Sequence, residues 1–90
     1  MSFLKYVERL QRMDYLIARK STGSPAEFAE KLGISRSALF QYLQEMKSMG
    51  VDIHYSNSNR SYYYADGKRI RISIEEQRYY QAASFDDNIL

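Results

Sequence analysis

Cysteine is absent from all 90 residues, so no disulfide can staple the chain and no thiolate can hold a metal. That absence is compatible with a reducing compartment. Histidine is nearly absent too: His54 stands alone, with no second histidine or cysteine to complete a metal site or a nucleophile–base pair. Only four glycines occur, and none forms a phosphate-cradling loop. No apolar run approaches the roughly 18 residues that a membrane-spanning helix needs. Met1 to Lys20 is amphipathic and broken by charge, unlike a signal peptide. These absences exclude the common enzyme chemistries and leave no cofactor to expect. They point to a soluble protein of the cytoplasm, with no membrane contact. A hydrophobic share of 44% suits one small globular domain.

What is present centres on Ser24 to Gly50. Ser24-Pro25-Ala26-Glu27 has the form of a capping box, with proline at the first helical position, where its missing N–H costs nothing. Phe28, Ala29 and Leu32 share one helical face, and Gly33 follows where a helix end favours positive φ. Ser35 then suits the N-cap of a second helix, with Leu39, Leu43 and Met46 on one stripe and Tyr42 beside it. Two helices joined by a glycine-containing turn of three or four residues have the layout of a DNA-binding helix-turn-helix.

These residues resemble a known pattern. Ala29 matches the small residue of the first helix, Gly33 the turn glycine, Ile34 the apolar corner residue, and Leu39 and Tyr42 the inward positions of the second helix. The run looks like the N-terminal domain of the deoxyribose-operon repressor and WYL-domain regulators, and more loosely like the wing-bearing domain of the biotin repressor. Met49 to Ile53, followed by polar residues and Ser61-Tyr62-Tyr63-Tyr64, is similar to the segment after the second helix in the WYL group. The resemblance covers roughly residues 4 to 65. It implies an α+β winged helix-turn-helix fold: a three-helix core followed by a two- or three-stranded antiparallel sheet. It also implies transcriptional regulation. Larger relatives carry an effector-sensing domain after this module, and none is expected within these residues.

The remaining elements read from periodicity. Phe3, Val7, Leu10, Met13 (or Leu16) and Ile17 mark a first helix over residues 3 to about 19. Val51 to Tyr55 alternates, with Val51, Ile53 and Tyr55 on one face and Asp52 and His54 on the other. Ser56 to Asn59 suits a turn, and Ser61 to Ala65 a second strand. Asp66-Gly67 signals another tight turn, and Ile70, Ile72 and Ile74 alternate with Arg69, Arg71 and Ser73. A third strand over residues 68–74, antiparallel to the second, is therefore expected. The domain is expected to span residues 1–74, with 75–90 as a C-terminal extension. Ser73-Ile74-Glu75-Glu76 reads either as a capping box opening a short helix to about Ala83 or as a strand running on, and the helix is the expectation.

Charge is unevenly spread. Residues 35–71 balance to +3 and residues 72–90 to −3, an asymmetry that suits a nucleic-acid binder whose end points elsewhere. Ser35, Arg36, Ser37, Phe40, Gln41 and Gln44 point away from the apolar stripe and are the candidates for contact with double-stranded DNA. Lys47 joins them near the helix end, and Asn59 and Arg60 at the hairpin. Arg36 suits the O6 and N7 of guanine, Gln41 suits adenine, and the two serines suit phosphate or base contacts near a helix N-terminus. Asn57, Lys68, Arg69 and Arg71 suit phosphates or a minor groove, and the charges from Lys68 to Arg71 equally suit the protection of a sheet edge. A lone module makes few contacts, so a homodimer reading two half-sites is expected.

Phe40 fits this picture least, because related regulators generally place a basic residue there. It suits a thymine methyl group, cover by the C-terminal segment, or a protein partner. A protein-interaction module using Phe40 and the tyrosine-rich hairpin is thus the rival reading. Alternation puts Tyr63 opposite Tyr62 and Tyr64, so at least one ring is expected on the helices and at least one outside.

Overall fold

The computed structural model describes residues 2–72. Three helices precede a two-stranded antiparallel hairpin: α1 (Phe3–Ala18), α2 (Pro25–Leu32), α3 (Arg36–Ser48), β1 (Ile53–Ser56) and β2 (Ser61–Tyr64). The expected C-terminal helix and the 75–90 extension lie outside the described residues.

Each helix begins at a serine. Ser2 Oγ accepts from the Lys5 N–H at 3.2 Å, and Ser35 Oγ from that of Ala38 at 3.1 Å. At α2 the full capping box forms: Ser24 Oγ accepts from Glu27 N–H at 3.2 Å, and Glu27 Oε1 accepts from Ser24 N–H at 2.8 Å. α2 ends in a Schellman arrangement. Gly33 takes φ +70°, its N–H donates to Glu30 O, and the Ile34 N–H reaches Ala29 O, each at 3.0 Å. A Cβ on Gly33 would meet nothing within 4 Å, so backbone conformation alone calls for glycine there.

The core is a single cluster. Leu10, Met13 and Ile17 of α1 meet Phe28, Ala29 and Leu32 of α2 and Leu39, Leu43 and Met46 of α3. The hairpin closes it from one side. Register pairs Ile53 with Tyr64 and Tyr55 with Tyr62, so these four share the inner face, while His54 and Tyr63 pair on the other. Tyr62 packs on Phe28 with ring centroids 5.7 Å apart and edge-on to Tyr55 at 5.1 Å. The regular strand β1 starts two residues later than its alternation predicts, although Val51 is buried and Ala65 N–H still donates to Asp52 O at 2.8 Å.

That last bond fixes which pairs exchange backbone hydrogen bonds. Asp52 and Ala65 do, hence also His54–Tyr63 and Ser56–Ser61, and the N–H and C=O of Tyr62 face away from β1. Both find hydroxyls. Tyr62 N–H donates to Thr22 Oγ1 at 2.9 Å, and Ser61 Oγ donates to Tyr62 O at 2.8 Å. Thr22 is fully buried, its own N–H donates to Ser61 Oγ at 3.1 Å, and its hydroxyl donates to Gly23 O at 2.8 Å. The α1–α2 loop therefore occupies the outer edge of β2 at Tyr62, through side chains.

The expected third strand does not form within residues 68–72. Its polar groups go elsewhere. Arg69 donates to Asp14 of α1 through Nε at 3.2 Å and Nη2 at 2.5 Å. A backbone hydrogen bond from Ile70 reaches the Tyr64 hydroxyl. The Ile72 carbonyl accepts from Gln11 Nε2 at 2.6 Å. The alternation nonetheless reads correctly as inside and outside: Ile70 is buried, Ile72 half-buried and Arg71 exposed. The stretch packs on α1 as an extended strap.

Candidate nucleic-acid interface

Leu39, Leu43 and Met46 anchor α3 to the core, which fixes what its other side presents. Arg36, Ser37, Phe40, Gln41, Gln44 and Lys47 are all exposed. At 100° per residue these six cover an arc of roughly 140°. Arg36 and Lys47 flank one side of the arc and Gln41 the other. Ser35 is also exposed. Its oxygen accepts the capping bond from Ala38, which leaves its hydroxyl proton for an incoming acceptor.

Phe40 lies within this arc at 43% exposure, with Arg36 and Gln44 at its i−4 and i+4 neighbours. The hairpin tyrosines are mostly turned inward. Tyr62 is buried, Tyr55 and Tyr64 are half-buried on the inner face, and only Tyr63 belongs to the outer face. The protein-interaction reading, which needs Phe40 continuous with exposed tyrosines, is therefore not favoured.

The hairpin supplies a second set of exposed polar groups. Burial raises the pKa of Tyr62, Tyr55 adds to the rise, and the charge of Arg36 works against it. The turn presents Asn57, Ser58, Asn59 and Arg60, all exposed, and the Asn59 N–H donates to Ser56 Oγ at 3.2 Å. Arg60 closes the turn at φ +52°, and its Nη2 donates to Glu27 Oε1 at 3.3 Å. That contact ties the hairpin to the first turn of α2. Both partners remain at least half-exposed, so an incoming phosphate can compete with the carboxylate. Arg69, by contrast, is committed to Asp14.

The frame beneath this surface rests on residues that no local sequence signal singles out. Asp14 is 6% exposed within the apolar stripe of α1. Its carboxylate takes the Arg69 fork and also the Tyr64 hydroxyl, at 2.7 Å. Burial and this bond push the Tyr64 pKa well above the ordinary tyrosine value. Tyr6 of α1 donates to Glu45 of α3 at 2.6 Å, which, with burial, lifts its pKa to about 12. Arg9 donates to the Tyr42 hydroxyl at 3.2 Å and lies over its ring at 5.7 Å. No sequence periodicity marks the Asp14 cluster, because its members lie 50 and 55 residues apart along the chain.

Among the described residues no helix is long and apolar enough to cross a membrane, and no group of acidic or histidine side chains is placed to hold a metal. No match was found among curated proteins or among solved structures. The family described as HTH domain matches residues 8–64, from the second turn of α1 to the last residue of β2. With three helices, a Schellman turn between the second and third, and a hairpin in the wing position, the chain belongs to that family, and its α2–turn–α3 unit is a helix-turn-helix DNA-binding domain.

Proposed function

We propose that this domain binds double-stranded DNA sequence-specifically and acts as a transcriptional regulator, with the N-terminal half of α3 in the major groove. The observation that carries the reading is the exposed arc of α3. It holds two hydrogen-bonding amides, a guanidinium, a lysine and two serines around the helix N-terminus, and no acidic side chain. Arg36 supplies a two-pronged donor for guanine, and Gln41 and Gln44 supply paired donors and acceptors for adenine. Phe40, among them, supplies contact for a thymine methyl group. Ser35, Ser37 and Lys47 position the helix on phosphates, with Asn59 and Arg60 doing so from the wing. A homodimer would read two half-sites with centres about 34 Å apart.

The test is selection from a random-sequence duplex pool at several salt concentrations, with native protein and with Arg36→Ala. Salt-sensitive binding that selects a motif, relaxed at one base pair in the variant, is the expected result. No binding even at low salt would overturn the reading.

A further inference from the structure

A second basic surface lies on α1, along the side where Arg9 meets Tyr42 of α3. Lys5, Arg9 and Arg12 recur at i, i+4 and i+7, which places them on one face. Together with Glu8, and with Leu32 from the end of α2, they line one shallow groove. Three cations against one carboxylate leave it positive. Arg9 is fixed by Tyr42. The side chains of Lys5 and Arg12 are exposed and, among the described residues, make no hydrogen bond or ion pair. Nothing within the described fold employs these two charges.

The groove adjoins the helix-turn-helix. Leu32 precedes the α3 N-cap Ser35 by three residues, at most about 11 Å along the chain. On the flank of α3, Tyr6 lines a second groove with Ala38, Gln41, Tyr42 and Glu45. The exposed arc of α3 therefore passes at Gln41 directly onto α1. The one acidic group lining that junction, Glu45, has Oε1 occupied by the Tyr6 hydroxyl.

We infer that the Lys5–Arg9–Arg12 face of α1 is a second contact to the DNA phosphate backbone, beside the groove that α3 enters. The inference rests on the DNA-binding reading of α3 and extends it to a helix outside the helix-turn-helix. Such a contact adds affinity and salt dependence without adding sequence choice.

The experiment compares native protein, the Lys5→Gln/Arg12→Gln double variant and Arg36→Ala on the selected duplex between 50 and 200 mM salt. Each phosphate contact contributes about 0.9 to the slope of log affinity against log salt. Losing two lowers the slope by about 1.8, so the native affinity should fall about twelvefold more than that of the double variant across this range. The double variant should keep the selected motif and the native melting temperature, since neither side chain has a partner to lose. An unchanged slope in the folded double variant would overturn the α1 contact and leave the α3 reading standing. Absence of binding by the native protein would overturn both.

Discussion

Replacing Thr22 with valine removes one hydroxyl from a fully buried site and keeps the shape of the side chain. The Tyr62 N–H, which donates to that hydroxyl at 2.9 Å, faces away from β1 and has no strand to turn to. A buried donor left without a partner costs about 1–3 kcal/mol. The lost bond to Gly23 O adds less, because Gly23 is only half-buried. The extra apolar methyl of valine offsets part of the loss, so a net destabilisation of about 2 kcal/mol is expected. In a domain of this size that lowers Tm by roughly 8–16 °C. Thermal and urea denaturation followed by circular dichroism measure the loss. Amide hydrogen exchange locates it, because Tyr62 should lose protection before the His54 and Tyr63 amides do. Thr22→Ser retains the hydroxyl and should keep the Tyr62 amide protected. A Thr22→Val protein as stable as native, with Tyr62 still protected, would refute the claim that this hydroxyl replaces a neighbouring strand.

The frame of the domain yields three further outcomes. Arg69→Met leaves the Asp14 carboxylate buried with only Tyr64 to serve it, and should cost about 1–3 kcal/mol in urea denaturation. Asp14→Asn should cost less, since the half-exposed Arg69 turns to water; the reverse order would contradict the burial difference. Gly33→Ala meets only backbone strain, about 1 kcal/mol, whereas Gly23→Ala also drives its Cβ to 2.7 Å from Glu27 Oε1 and disturbs the capping box, so it should be clearly the more destabilising of the two. The Ser24 backbone N–H, then its hydroxyl, then Arg60 hold the Glu27 carboxyl below its ordinary value. Its folded-state pKa is depressed, so the stability it contributes is present above that ordinary value and lost as pH falls through the folded one. An NMR titration of Glu27 should stay low in Arg60→Gln, because Ser24 remains the larger cause; a return to the ordinary carboxylate value would reverse that ranking.

The helix boundaries were legible because their causes are local. A serine three residues before its backbone donor, a proline at the first turn and a glycine at the last are all visible within one stretch of chain, and Ser24 to Ser35 folds as those signals dictate. Alternation likewise placed Ile53, Tyr55, Tyr62 and Tyr64 on one side of the hairpin. It failed at residues 68–72, where period two established which side chains turn inward but not what the backbone bonds to. Gln11 and Tyr64 claim backbone groups there and Asp14 takes the Arg69 guanidinium, and none of the three announces this locally. The exposed face of α3 was readable as the complement of a buried stripe. The tethering of Arg60 to Glu27 was not, since it depends on how the hairpin docks against α2.

The strap over residues 69–72 also separates two kinds of boundary. Sequence kinship spans residues 8–64 and ends with β2. The packed core does not end there, for Ile70 is buried in it and Arg69 pairs with a carboxylate embedded in α1. A fragment cut after Tyr64 would keep every element by which its kin are recognised, yet strand Asp14 as an uncompensated anion beneath the wing. The dependence runs one way: the buried carboxylate at position 14 needs the cation at position 69, whereas the half-exposed cation can turn to water, and nothing in the shared motif records the bond.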